Sequence, residues 1–351
     1  MAENIARMAA KAQKWGVKLR PHTKTHRVPA LAKLQIAAGA SGITVAKVGE
    51  AEVMADNGLE DIFIANEIFG KTKSNRLLAV HRKVLVAVGV DNQEQIESLA
   101  KTFNQEKRPL DLMIEIETGE DRTGVLTAAE ALSLAQKIHQ TPGLRLRGIF
   151  THEGHTYGAQ SKEECVKLFG KSQEDVLAVA NYLREHDIEV NEVSVGATPS
   201  LMHGEPLPGI TEIRPGTYIF MDAAQGNSIN DYHQCALSVL ATVVSMPTAE
   251  RVVIDAGGKA LTSFTRAPGS ICETPGYGIV RGFDNLRLAK LYDEHGVINN
   301  AEANAKLKIG DKVSIIPNHV CPCVNLYDKL YLVEHDNVIE ELAILGRGKS
   351  Q

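Results

Sequence analysis

Apolar positions in the first two-thirds of the chain alternate between two textures. Stretches with a period near 3.6 residues are separated by short apolar runs of strand length. The helical period predicts helices over residues 1–15, 28–40, 48–58, 128–139 and 163–186. The short runs predict strands over residues 17–20, 42–46, 61–65, 83–90, 112–116, 146–150 and 190–195. Strands that alternate with helices pair in parallel through right-handed crossovers. Seven or more such units in about 230 residues predict a (β/α)8 barrel rather than an open sheet. From about residue 234 the texture changes. Strands are predicted over 236–245, 252–254, 312–316, 330–334 and 337–341, with few helices between them. The expected organisation is a barrel over residues 1–233 and a mainly β domain over residues 234–351.

Composition narrows the function classes. The chain has 351 residues, enough to bury a large core, and a net charge of −5. That balance gives no reason to expect a nucleic-acid groove or an anionic membrane surface as partner. No run of apolar residues is long enough to predict a membrane span, and the N-terminus reads as a helix rather than a signal peptide. Five cysteines, an odd number in a chain too long to need disulfide staples, fit a reducing cytoplasm.

Two clusters carry chemistry. His319-Val-Cys321-Pro-Cys323 puts an imidazole and two thiols within five residues. If the segment is extended, His319 and Cys321 project from one face. These are donors that Zn²⁺ prefers, and two protein ligands leave coordination positions open, as a catalytic metal requires. The alternative is a strand end with buried free thiols, and Cys323 in particular may belong to the packing. The second cluster is Arg20-Pro-His-Thr-Lys-Thr-His26, directly after the strand predicted at 17–20. Residues just past a barrel strand line the active-site mouth, which here would hold Arg20, His22, Lys24 and His26. Cationic neighbours favour a neutral Lys24, and a neutral amine is what Schiff-base chemistry needs. Taken alone, this stretch reads as a solvated basic loop.

Taken in order along the chain, the motifs resemble the D-threonine aldolase and D-serine dehydratase family, pyridoxal-phosphate enzymes with an alanine-racemase-like barrel. The resemblance covers essentially the whole chain. It implies that Lys24 forms the Schiff base with the cofactor. It implies that Arg122, in Glu117-Thr-Gly-Glu-Asp-Arg-Thr-Gly124, reaches the cofactor ring oxygen. Thr151-His-Glu-Gly-His-Thr-Tyr157 resembles the family's active-site loop, and His152, His155 and Tyr157 are carried over from it, with His22 as a further catalytic candidate. Ser194-Val-Gly-Ala-Thr-Pro-Ser200 and Arg214-Pro-Gly-Thr-Tyr218 resemble its phosphate-binding turns, giving Gly196, Thr198, Arg214, Gly216, Thr217 and Tyr218 as cofactor contacts. Gly196 and Gly216 also suit such turns by their chemistry, since glycine lets backbone amides approach an anion, although either could serve tight packing alone. Asn318-His-Val-Cys321 resembles the family's metal segment, with His319 and Cys321 as ligands to zinc, manganese or magnesium.

The resemblance implies a lyase acting on small D-β-hydroxy-α-amino acids, of D-threonine aldolase type, assembled as a homodimer. The alternative is a D-serine or D-3-hydroxyaspartate dehydratase, toward which Cys321 leans. A non-catalytic pyridoxal-phosphate-binding protein lacks the β domain and metal pair. A racemase needs a tyrosine opposite the lysine, for which Tyr277 and Tyr327 are the candidates. One departure stands out. The family has a strand before its first helix, whereas this chain begins inside that helix, so one barrel strand is expected to be missing or supplied by another segment.

Overall fold

Eight short runs form a parallel sheet in the computed structural model, which describes residues 1–283 and 285–351. They are β1 (Lys18–Leu19), β2 (Ile43–Val45), β3 (Asp61–Glu67), β4 (Leu85–Val90), β5 (Leu110–Glu115), β6 (Leu144–Phe150), β7 (Glu192–Val195) and β8 (Glu212–Ile213). Their order is β1-β8-β7-β6-β5-β4-β3-β2. The two outer strands meet. His22 bridges Thr44 in parallel, the Thr44 amide donates to Pro21 O at 2.8 Å, and the Ser41 amide donates to Leu19 O at 2.9 Å. The sheet curls into the expected TIM-like barrel. No strand precedes the first helix, Ala2–Trp15, and the eighth strand is supplied by another segment, the two-residue β8. So short a strand carries no periodicity, which is why β8 escaped the sequence pattern.

Helices cover the barrel for local reasons. Thr127 and Glu130 form a reciprocal capping box that starts the helix Ala128–His139. The helix Lys162–Glu185 buries Phe169, Val176, Ala180 and Leu183, spaced as one stripe. Inside the barrel, Phe63, Ala87, Met113 and Phe150 pack together, with the Phe63 and Phe150 rings edge-to-face at 5.0 Å.

The other end of the barrel interior is ionic. Arg20, 1% exposed, donates to Glu212 at 2.7 Å and to both oxygens of Asp61 at 2.9 and 3.0 Å. Arg147 joins Asp61 to Glu192, and Lys18 reaches Glu192 at 3.1 Å. Arg20 is therefore a buried brace between β1, β3 and β8, not a group at the mouth. His26 also turns away from the mouth. It is fully buried, its Nε2 lies 3.2 Å from Gln35, its Nδ1 accepts from the Val28 amide, and burial lowers its pKa to about 4.

By contact the chain groups into two units. One comprises Ile5–Thr156, Cys165–Gly216 and Lys329–Gln351, the other Met1–Asn4, Tyr157–Glu164 and Thr217–Asp328. The grouping differs from a single cut between residues 233 and 234: residues 217–233 go with the second unit, and the C-terminal segment goes with the barrel. There β15 (Lys329–Glu334) and β16 (Asn337–Ala343) form a hairpin, after which the Gly346 amide donates to Arg27 O at 3.0 Å. The second unit is built on a six-stranded sheet of β9 (Val239–Thr248), β10 (Arg251–Ile254), β11 (Ile279–Val280), β12 (Lys290–Leu291), β13 (Gly296–Asn299) and β14 (Lys312–Ile316), ordered β11-β14-β9-β10-β13-β12 and antiparallel throughout. Val243, Val252, Ile254, Ile298, Ile315 and Cys323 are among its core residues. Among the described residues no helix is long and apolar enough to cross a membrane.

Arg20→Met leaves two carboxylates facing a removed charge. Breaking a buried pair from one side costs about 3–5 kcal/mol. Denaturant unfolding of the variant is expected to show a loss on that scale, and Arg20→Met with Glu212→Leu is expected to recover part of it.

Candidate active site

Lys24 lies in a single 3-10 turn, Thr23–Thr25, at the C-terminal end of β1. The turn is held from several sides. The His22 amide donates to Pro215 O at 3.0 Å, and the Thr23 hydroxyl donates to Thr44 O at 3.1 Å. The His22 ring caps the turn, its Nδ1 accepting from the Lys24 amide at 3.4 Å, and it also bonds the Thr44 backbone. Burial and the neighbouring charges of Lys24, His152 and Arg214 lower its pKa well below the ordinary histidine value. His22 is thus a neutral ring engaged in holding the lysine turn.

The loop after β6 supplies His152. Its Nδ1 donates to Gly196 O at 2.8 Å, which fixes the tautomer and leaves Nε2 as an acceptor. Burial, then Lys24 and Arg122, depress its pKa far below the usual value. Nε2 stands 3.9 Å from the Glu120 carboxyl, whose pKa is raised by burial. His155, from the same loop, goes elsewhere. It packs on Gly119 with Nε2 3.4 Å from the Ser172 hydroxyl, and its pKa is lowered by burial.

The two glycine turns follow β7 and β8. Gly196 has φ +152°, and a Cβ there would sit 2.5 Å from the Arg214 amide. Its own amide donates to the buried Glu153 carboxyl group at 3.1 Å, which ties this turn to the loop after β6. Thr198, two residues on, is buried and its hydroxyl has no hydrogen-bond partner. A Cβ on Gly216 would come within 3.0 Å of the Thr25 hydroxyl and 3.2 Å of the His22 Cβ. Arg214 is buried, donating to Ser194 Oγ and Thr151 O at 2.6 Å each, with its guanidinium beside Phe150. An orphaned hydroxyl and two close-packed glycine turns beside a lysine fit the phosphate and aldehyde ends of pyridoxal phosphate. Tyr157, Thr217 and Tyr218 belong to the second unit, where Tyr157 hydrogen-bonds the Thr217 side chain and Tyr218 is buried.

Arg122 is held by a group the motifs did not announce. Glu115, at the end of β5 and 5% exposed, accepts from Arg122 at 3.2 Å and from the Thr123 hydroxyl at 2.9 Å. Glu67, at the end of β3, shares a hydrogen bond with Glu115, and its pKa is raised to about 8 by burial, that bond and the Glu115 charge. Both positions are strand C-termini of a barrel, which was the available signal.

His319 and Cys321 were expected on an extended segment. Only His319 is extended, as the N-cap of the short helix Val320–Val324 that carries Cys321. The buried Asp222 carboxylate accepts the Val320 amide at 3.0 Å and the Gln225 amide at 3.0 Å, holding that helix start. Of five cysteines only Cys321 is not buried. Cys323 belongs to the core, its thiol directed at Ala260 O and its pKa pushed to about 12 by burial. One partly exposed thiol and an imidazole fit two ligands of a soft divalent metal with open positions. Among the described residues, no three or more His, Cys, Asp or Glu side chains gather as a closed metal site.

The raised Glu67 pKa has a sign. The folded state holds this proton to about pH 8, while the unfolded chain loses it near 4.5, so its contribution is complete below 4.5 and is lost as pH rises to 8. Glu67→Gln should gain stability relative to the wild type between pH 5 and 8 and then level off. Thermal unfolding across that range checks it, and a pH-independent difference contradicts the shared proton.

Comparison with known proteins gives the family. Residues 1–224 match the alanine racemase N-terminal domain and residues 236–333 a putative serine dehydratase domain. A D-threonine aldolase of Arthrobacter sp. is 32% identical over 99% of this chain and 90% of its own length. A D-threo-3-hydroxyaspartate dehydratase of Delftia sp. is 32% identical over 92% of this chain and 88% of its own length. The crystal structure of D-threonine aldolase from Filomicrobium marinum superposes with a TM-score of 0.87 at 29% identity, covering 99% of this chain and 93% of that one. The chain belongs to the alanine-racemase-like family of pyridoxal-phosphate-dependent lyases that join this barrel to a serine dehydratase domain.

Proposed function

We propose that the protein is a pyridoxal-phosphate- and metal-dependent aldolase that cleaves D-β-hydroxy-α-amino acids such as D-threonine into glycine and an aldehyde. The observation that carries this reading is His152, a neutral imidazole of fixed tautomer whose Nε2 is an acceptor beside Lys24. Lys24 would hold the cofactor aldehyde, Thr198 and the Gly216 turn its phosphate, and Arg122 its ring oxygen. His319 and Cys321 would hold the metal. When bound, the cofactor supplies the electron sink and the metal a Lewis acid.

The remaining work belongs to the chain. His152 Nε2 takes the β-hydroxyl proton, a step worth about 10²- to 10⁴-fold in rate. Gly196 O holds the opposite ring edge, so the imidazolium keeps its orientation. Glu120, 3.9 Å away, stabilises that cation once it forms. Glu115 fixes Arg122. A second reading, dehydration to a keto acid and ammonia, is favoured by Cys321 and would use Lys24 as base at Cα. Of the two tyrosine candidates for racemisation, Tyr327 donates its hydroxyl to Ala260 O at 2.9 Å.

The deciding experiment offers D-threonine, D-allo-threonine and D-serine to the loaded enzyme. Glycine plus aldehyde supports the aldolase; keto acid plus ammonia selects dehydration; turnover restricted to L-isomers contradicts both. Lys24→Ala should abolish the visible absorbance of bound cofactor.

Removing metal with a chelator should stop turnover while that absorbance stays, and returning metal should restore it. Full activity of His319→Ala in chelator contradicts the metal assignment.

A further inference from the structure

Arg266 is a cation the proposed mechanism does not use. Its guanidinium lies 3.8 Å from the centroid of the Tyr157 ring and 5.3 Å from that of Phe264. Its Nε is buried without a hydrogen-bond partner, and the buried Asp222 carboxylate feels its charge without forming an ion pair with it. A buried guanidinium N–H left unmatched costs free energy, and a planar anion is the group whose geometry completes it.

The loop carrying Arg266 is tied to the metal segment. The Phe264 and His319 rings meet edge-to-face at 4.6 Å. Asn318, beside His319 and 4% exposed, donates through Nδ2 to Phe264 O at 3.1 Å and to Gly276 O at 2.9 Å. The Arg266 amide donates to the Thr274 hydroxyl at 2.7 Å. All of these residues lie in the second unit. The cation is therefore pre-set within one unit next to the ligand that would grip the substrate's β-hydroxyl.

We infer that Arg266 is a carboxylate-recognition site for the Cβ end of the substrate, selecting dicarboxylic D-3-hydroxy amino acids of the 3-hydroxyaspartate class over D-threonine and D-serine. A carboxylate on Cβ is one bond from the carbon whose hydroxyl the metal holds, and a guanidinium meets it with two parallel donors. This rests on the lyase reading, because it takes His319 as a metal ligand.

The test measures the ratio of kcat/KM for D-3-hydroxyaspartate to that for D-threonine. In the wild type the ratio should exceed one. Arg266→Gln should lower it roughly 10- to 100-fold, the scale of a charge-assisted hydrogen bond, and Arg266→Lys should restore part of it. Bound-cofactor absorbance confirms that each variant is folded. A ratio unchanged in Arg266→Gln, including equal loss for both substrates, overturns the inference. If the wild type turns over neither compound, the lyase reading fails, and Arg266 is judged by calorimetry on the metal-loaded protein with D-malate and D-lactate, which share a hydroxyl and differ by one carboxylate. Tighter malate binding, lost in Arg266→Gln, sustains the site; equal binding of the two acids, or no binding, rejects it.

Discussion

The barrel unit depends on one buried guanidinium. Strands β1 and β8 are two residues long, too short to hold a sheet closed by ladder hydrogen bonds alone. Arg20 compensates by spanning three strands, with Glu212 on β8 and Asp61 on β3. A charge taken out of water is tolerable only when its donors are matched, and here Nε and both terminal nitrogens are. Because the lysine turn starts three residues later, the same brace sets where Lys24 stands. The chain end supports the other side of that turn, since Gly346 bonds Arg27 and the Gln351 carbonyl accepts from the Gly49 amide.

Above this brace the mouth is ordered by sharing protons among buried groups. Two imidazoles lie beside Lys24 and both are kept neutral, chiefly by burial and then by the surrounding cations. They differ in what their nitrogens face. His22 spends its ring on backbone around Lys24, while His152 spends one nitrogen on Gly196 and keeps the other as a base. The same economy governs the carboxyls. Glu115 meets Arg122 as an anion while Glu67, beside it, keeps its proton, so one negative charge rather than two faces the arginine.

The second unit positions its chemistry through a different device. Its antiparallel core packs the Cys323 thiol inward, and the short helix that begins at Val320 leaves Cys321 partly exposed. Asp222 caps two helix starts at once, Ala223–Ile229 and Val320–Val324, so residues far apart in sequence share one anchor. The stack of Tyr157, Arg266, Phe264 and His319 rests on that framework.

Much of this was legible along the chain. Alternating periods specify the barrel and the β-rich second part, because burial of one helix face and of both strand faces imposes them directly on the sequence. Strand ends mark the mouth, and the motifs around Lys24, Arg122, Gly196 and Gly216, taken in order, carry the family resemblance. What stayed hidden depends on contacts between distant residues. Two-residue strands have no period, so barrel closure appears only when His22 meets Thr44. Arg20 and His26 look like mouth residues beside Lys24, yet the 3-10 turn Thr23–Thr25 breaks the extended pattern, and their side chains lie in the interior, where distant carboxylates and Gln35 receive them. Glu67 and Glu115 are marked only as strand ends, with nothing to pair them, and the Glu120 partner of His152 and the cation at Arg266 have no local signature at all. Sequence determined which residues end strands; only tertiary structure decided which ends face each other, because shared protons and matched charges arise between side chains brought within a few ångströms by the fold.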